Sequence, residues 1–343
     1  MQQLMFLEAG KLEWRDVPSP QLAAADDALV RPTAVTTCDL DGAIVRGRAP
    51  FAGPFPFGHE FVAVVVEVGD AVTTLRAGQR VSVPFQISCG ACARCRRGLT
   101  NSCTAVPLRS MYGLGPLGGE WGGAFSDLVR VPFAPAMLIP LPAEIEPAAV
   151  ASLGDNLCDG WRTVAPWLAE RPDAEVLVVG GTGSVPLYAV EIAVALGAGR
   201  VDYVDHDPQR LALATALGAN PIAGPYPRRA GEYPITVDGS ADPAGLACAL
   251  RSTEPGGVCT SIGIYYTEST PVPLLEMFGR GVRFHTGRVN ARAHMPAVLD
   301  LVQSGRLHPE RINSELLPWD EAPRALAEPS LKPVFLRGPA ASA

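Results

Sequence analysis

The stretch Val178-Val179-Gly180-Gly181-Thr182-Gly183-Ser184-Val185-Pro186 decides the fold class. It completes Glu175-Val176-Leu177-Val178-Val179, a short apolar run that reads as a buried strand. It opens the segment from Val185 to Leu196, whose length and composition read as a helix. Glycines at such a turn let the backbone approach a pyrophosphate seated on the helix N-terminus. The next strand is Val201-Asp202-Tyr203-Val204-Asp205, and Asp205 stands 25 positions after Gly180. A carboxylate at that strand end can accept hydrogen bonds from an adenosine ribose and repels a 2′-phosphate. A tight turn with no ligand would account for the glycines alone. Strand, glycines, helix and acidic strand end together point to a dinucleotide.

Outward from this turn the alternation continues. Pro208 to Leu217 reads as a helix stopped by Gly218, and Ile235 to Asp238 and Val258 to Ile264 read as further strands. Pro147 to Leu153 and Cys158 to Glu170 carry helical spacing. Alternating strands and helices predict an α/β domain with a doubly wound parallel sheet. Before Pro147 the pattern is different. Phe61 to Val68, Arg80 to Val83 and Phe125 to Val131 read as short strands between Gly/Pro turns, and helical periodicity is scarce. This part is expected to be an irregular, barrel-like β domain. Beyond Val289 a helix from Met295 to Ser304 precedes a proline-punctuated tail, expected to return to the first domain.

Composition bounds the function. At 343 residues the chain holds two or three domains and can bury a core without staples. Lys plus Arg is 28 against 35 Asp plus Glu, a net charge of −7, which opposes a nucleic-acid face. The most apolar stretches, Phe61 to Val68 and Val185 to Ala198, each contain a glutamate, so no spanning helix is expected. Met1-Gln2-Gln3 is not followed by a basic and then an apolar signal pattern, and a soluble cytoplasmic protein is expected. Only Lys11 and Lys332 are lysines among the 28 basic residues.

Four of the eight cysteines fall in Cys89-x2-Cys92-x2-Cys95-x7-Cys103. Four thiolates at that spacing can close a tetrahedral zinc site, and a full thiolate shell leaves no open position for substrate, so such a zinc is structural. Four exposed free thiols would be a liability. Two other elements are weak alone: Cys38 in Thr36-Thr37-Cys38-Asp39-Leu40-Asp41, and His59 in Gly58-His59-Glu60.

Taken together, and in this order along the chain, Gly58-His59-Glu60, the four-cysteine lobe, Gly122-Gly123-Ala124-Phe125 and the glycine-rich turn give a chain that resembles the zinc-dependent alcohol dehydrogenases of the medium-chain dehydrogenase/reductase (MDR) superfamily. The resemblance covers nearly the whole chain. It implies a GroES-like β-rich catalytic domain over residues 1–150 and 290–343, with a structural-zinc lobe at 86–106, and a Rossmann NAD(P)-binding domain over 151–289. It implies two zincs per chain. Cys38 and His59 match the first two catalytic-zinc ligands, and Asp155 in Ser152-Leu153-Gly154-Asp155-Asn156-Leu157 is the candidate third, with Cys158 as runner-up. Glu60 resembles the glutamate beside the metal, a supporting group or occasional ligand. Asp41 resembles the aspartate that orients the histidine. Gly180, Gly181, Thr182, Gly183, Ser184 and Val185 would bind the cofactor, with Asp205 and Arg210 beside the ribose and NAD preferred to NADP.

Three positions depart from the family pattern. Ala63 and Pro186 stand where glycines are usual. Leu40 stands two residues after Cys38, where the family usually has a Ser or Thr that relays the substrate proton. Asp39, Thr37 and Asp159 are candidates for that work. Phe57, Trp121 and Trp161 could wall an apolar pocket, although aromatics more often pack cores. The implied activity is hydride transfer between an alcohol or carbonyl compound and NAD(H), with zinc as Lewis acid, in a homodimer or homotetramer. One alternative is an MDR reductase acting on an imine, an activated alkene or another unusual group. Another is a zinc- and nucleotide-binding protein without turnover.

Overall fold

The computed structural model describes residues 1–181 and 183–338. The chain divides into two compact units. One is Met1–Cys158 with Asn290–Asp300 and residues 313–338; the other is Asp159–Val289 with Leu301–Ile312.

The first unit is built on a seven-stranded sheet. Its strands run, in spatial order, Glu315–Pro318, Pro333–Leu336, Ala28–Thr36, Glu60–Val68, Arg80–Val83 and Ile139–Pro140, with Val129–Val131 also pairing on Ala28–Thr36. Both strands expected at Phe61 and Arg80 are present. Ala28–Thr36 carries Pro32, which has no N–H to donate, and the register with Glu60–Val68 slips between Pro32 and Ala34. A second, three-stranded sheet joins Lys11–Asp16, Gln2–Glu8 and Phe55–Pro56. The proline-rich tail does not end as loops alone: its strands Glu315–Pro318 and Pro333–Leu336 complete the larger sheet.

Two expectations for this unit fail for visible reasons. Pro147–Leu153 forms turns rather than a helix. Gly154, which follows it, packs on the end of strand Arg80–Val83: a Cβ there would stand 2.2 Å from the Val83 carbonyl oxygen. The expected strand Phe125–Val131 shortens to Val129–Val131, because Phe125 and Ser126 bind the first strand instead: the Leu4 N–H donates to the Phe125 carbonyl (2.8 Å) and Ser126 bridges Gln3.

The second unit is a six-stranded, wholly parallel sheet. Its order is Asn220–Ala223, Arg200–Asp205, Glu175–Val179, Tyr233–Asp238, Thr253–Ser261 and Arg283–Thr286. Helix Ser184–Ala195 opens from the glycine-rich turn and is buried along most of its length. Helix Asn156–Glu170 replaces the expected Cys158–Glu170, and Pro208–Ala216 stands close to its expected place. The strand expected at Val258–Ile264 is Thr253–Ser261, three residues earlier at its end.

One crossover departs from regular winding. Between Ala223 and Tyr233 residues 224–232 contain no helix. A parallel crossover usually takes a dozen or more residues with a helix. These nine run as a strap, and Tyr226 and Ala230 pack against the sheet core that includes Leu177, Val179 and Val204.

Candidate active site

Cys38 sits at the N-cap of helix Asp39–Val45, a short helix that the sequence pattern does not reveal. Asp41, two positions into that helix and fully buried, uses its two oxygens differently. Oδ2 accepts the Cys38 N–H at 3.0 Å. Oδ1 faces His59 Nδ1 at 3.4 Å. His59 lies at the start of strand Glu60–Val68, after Gly58, whose φ of +86° and close approach to the Phe125 ring admit only glycine. The other ring nitrogen, Nε2, is 3.3 Å from Asp155 Oδ2. Gly154, pressed on the Val83 carbonyl, delivers Asp155 to this position.

Donor atoms of Cys38, His59 and Asp155 therefore all lie within 4.8 Å of one another, and all three residues are buried. Burial, with Asp41 close by, pushes the Cys38 thiol up to about 12. Burial by itself would lower the His59 imidazolium, but the negative charges of Asp41 and Cys38 and the Asp155 hydrogen bond outweigh it and raise its pKa. A buried group of one thiol, one imidazole and one carboxylate that draws positive charge fits zinc by donor type and spacing. A zinc held by these three donors would keep a position for substrate.

Glu60 and Cys158 stand outside this cluster. Glu60 Oε1 accepts the Ser152 hydroxyl (3.0 Å) and the Asn156 N–H (2.8 Å), and its other oxygen pairs with Lys332. Burial raises its carboxyl to about 7 against the pull of the Lys332 ammonium. The Cys158 thiol donates to the Leu153 carbonyl at 3.1 Å. Lys332 was not singled out as a site residue from sequence; its rarity among arginines was the available signal. Asp39 is the first residue of its helix, beside Leu40, and both are half-buried. Thr37 is buried and its carbonyl accepts Lys332 Nζ at 2.7 Å. Asp159 is paired with Arg162. Phe57 is core: fully buried and stacked on Phe125 at 6.4 Å. Trp121 and Trp161 are half-buried, and the Arg130 guanidinium lies 5.7 Å from the Trp121 ring.

The four lobe cysteines converge within the same 4.8 Å limit. Their loop folds by N–H···S bonds. Cys89 Sγ accepts the Cys92 N–H (3.3 Å), Cys92 Sγ accepts the Cys95 N–H (3.4 Å), and Cys103 Sγ accepts from Cys89 and Ala105 (3.4 Å each). Backbone donation from Thr104 and Cys95 lowers the Cys92 thiol to about 5.

In the second unit a Cβ on Gly180 would stand 2.2 Å from the Tyr203 hydroxyl and 2.6 Å from Asp205 Oδ2. Gly181 takes a φ of +137°, and the Tyr226 hydroxyl donates to the Gly180 carbonyl at 2.8 Å. Gly183 and Ser184 begin the helix, followed by Val185; Thr182 lies outside the described residues. Asp205 is fully buried and its oxygens are already occupied. They accept from Tyr203 (2.7 Å), from the N–H groups of His206 (2.7 Å) and Asp207 (2.9 Å), and twice from Arg210 (2.8 Å each).

Comparison with known proteins agrees with this geometry. Residues 24–143 match the alcohol dehydrogenase GroES-like domain and residues 184–304 the zinc-binding dehydrogenase domain. The chain is 31% identical over 328 residues to the "Probable zinc-binding alcohol dehydrogenase Rv1895" of Mycobacterium tuberculosis, covering 93% of this chain and 83% of that one. It is 29% identical to the glutathione-independent formaldehyde dehydrogenase of Bacillus subtilis, covering 85% and 81%. Alcohol dehydrogenase TADH from Thermus sp. ATN1 superposes with a TM-score of 0.90 at 33% identity, over 98% of this chain and all of that one. The chain belongs to the zinc-type alcohol dehydrogenase family of the MDR superfamily, an oxidoreductase family with a GroES-like domain and a Rossmann domain.

Proposed function

We propose that this chain is an NAD-dependent alcohol dehydrogenase, acting in either direction between alcohol and carbonyl compound, with one catalytic and one structural zinc. The observation that carries the reading is the buried meeting of Cys38, His59 and Asp155 with Asp41 behind the histidine. When bound, zinc at that cluster supplies a Lewis acid for a hydroxyl or carbonyl oxygen, and NAD supplies the hydride acceptor.

The protein's own part follows from its contacts. The Asp41 carboxylate, 3.4 Å from His59 Nδ1, favours a proton on that nitrogen, so that Nε2 presents its lone pair to the cluster. Cys38 and Asp155 contribute negative charge that lowers the net charge of the loaded site. Thiol, imidazole and carboxylate are all buried, which excludes water from all but the open position. The proton released from a substrate hydroxyl goes to Asp39 or Asp159, since Leu40 has no hydroxyl to pass it on.

Asp205 supports NAD over NADP. Its charge lies at the strand end where a 2′-phosphate would come, and Arg210, the near cation, is already neutralised by it. With five donors on its oxygens, its discrimination rests on charge rather than on a spare lone pair. The four-cysteine lobe holds the second zinc. Exposed Leu274, Leu275 and Phe278, on the helix that precedes the edge strand Arg283–Thr286 in sequence, support a homodimer or homotetramer. No described helix is long and apolar enough to cross a membrane.

Leu40 favours a second reading, the reduction of an imine or activated alkene, in which no substrate hydroxyl must be deprotonated. A screen of alcohols, polyols and aldehydes in both directions, with NAD and NADP in parallel, separates the two. NAD-linked turnover of an alcohol is expected. Activity confined to C=N or C=C substrates would favour the second reading, and a strong NADP preference would contradict the cofactor assignment.

A further inference from the structure

Lys332 is one of two lysines in the chain, and it is fully buried. Burying an ammonium is costly unless it is paired and hydrogen-bonded, so its partners define its use. Its Nζ donates to the Thr37 carbonyl at 2.7 Å and pairs with Glu60. The Glu60 carboxylate in turn accepts the Asn156 N–H at 2.8 Å and the Ser152 hydroxyl at 3.0 Å. Thr37 directly precedes Cys38, Glu60 directly follows His59, and Asn156 directly follows Asp155. One buried network thus grips the residue next to each member of the cluster, on three segments remote in sequence.

We infer that Lys332, acting through Glu60, is the positioning residue of the Cys38–His59–Asp155 metal site, an inference that rests on the metal reading of that cluster. The ammonium suits the task because its three N–H donors can reach a carbonyl and a carboxylate at once. Its charge cancels that of Glu60, so the tether adds no net charge beside the metal. Glu60 held by Lys332, Ser152 and Asn156 also keeps its oxygens engaged away from the ligand set. With the backbone of each ligand-bearing segment fixed, the donor triangle exists before the metal arrives.

Zinc release from the loaded protein to a chelator tests this directly, read as two phases for the two sites. In Lys332→Met the active-site zinc should be released about 10–100-fold faster, the range seen when supporting contacts of a metal site are lost. The cysteine-lobe phase should be unchanged. Cobalt placed in the active site should show a shifted visible spectrum. Lys332→Met leaves Glu60 buried without its cation, which can unfold a protein by itself. The double variant Glu60→Gln/Lys332→Met removes both charges and decides the matter. Fast release persisting in the double variant supports the tether. Wild-type release and spectrum in Lys332→Met, or their restoration in the double variant, overturn it. A wild-type protein with zinc in the lobe alone would overturn the metal reading and this inference with it.

Discussion

His59 has a carboxylate at each ring nitrogen, Asp41 at 3.4 Å and Asp155 at 3.3 Å, and only the second belongs to the donor cluster. From the sequence these roles are what the resemblance to the family implies, with Cys38 and Asp41 in one short motif and His59 in another. Asp155 came from its place before a helix. Lys332 was not legible as a partner: it lies 272 positions from Glu60, and no local spacing links them. Leu40 leaves the proton path as the open chemical question at this scale. Asp39→Asn and Asp159→Asn should be assayed across pH with both zincs verified. One of them should lower kcat by about 10²–10⁴-fold and flatten the acid limb of the profile. Wild-type rates and profiles in both would remove the relay assignment.

Among the elements, a zinc in the four-cysteine lobe would stabilise its loop, because zinc binding to such a site is coupled to folding. Cys92→Ser should lose one zinc per chain and lower the melting temperature by roughly 2–4 °C for each kcal/mol of stability lost in a domain of this size. An unchanged metal content would exclude a zinc there. The helix after the glycine-rich turn shows how a departure from the family pattern is absorbed. Pro186 takes a glycine's place, and Gly239 opposite makes the room: a Cβ there would stand 2.4 Å from the proline ring. The same helix buries Glu191, whose Oε1 accepts the His308 N–H at 3.3 Å while Oε2 lacks a partner. Burial raises its carboxyl from 4.5 to about 7 although Arg311 opposes the shift. The folded state then binds a proton that the unfolded chain has released, so stability falls as pH rises from about 4.5 to about 7 and is level above that. The loss is at most about 3 kcal/mol. Glu191→Gln should remove this slope in denaturant titrations at pH 5, 6, 7 and 8; an unaltered slope would assign the loss to other groups.

Over the whole molecule, the alternation around Val178–Pro186 was enough to place the parallel sheet, because strand and helix periods differ and its turns are marked by glycine. The β-rich unit was harder to read. Its strands are short, one contains Pro32, and the hairpin of Gln2–Glu8 with Lys11–Asp16 shows no long apolar run. The helix-free strap 224–232 could not be foreseen, since its tyrosine and alanine are fixed by packing on the sheet. The proposed assembly rests on exposed apolar side chains: Leu275 and Phe278 are 83% and 84% exposed, on the helix that precedes the edge strand in sequence. Leu275→Glu/Phe278→Glu should convert the oligomer to monomer in sedimentation, and a wild type that already sediments as a monomer would contradict the assembly proposed here. The central claim is the open, three-donor zinc site. Elemental analysis of the wild type and of Asp155→Ala tests it most directly. Two zincs per chain in the wild type and one in the variant, with the fold intact, are predicted; one zinc in the wild type, or two in the variant, would contradict it.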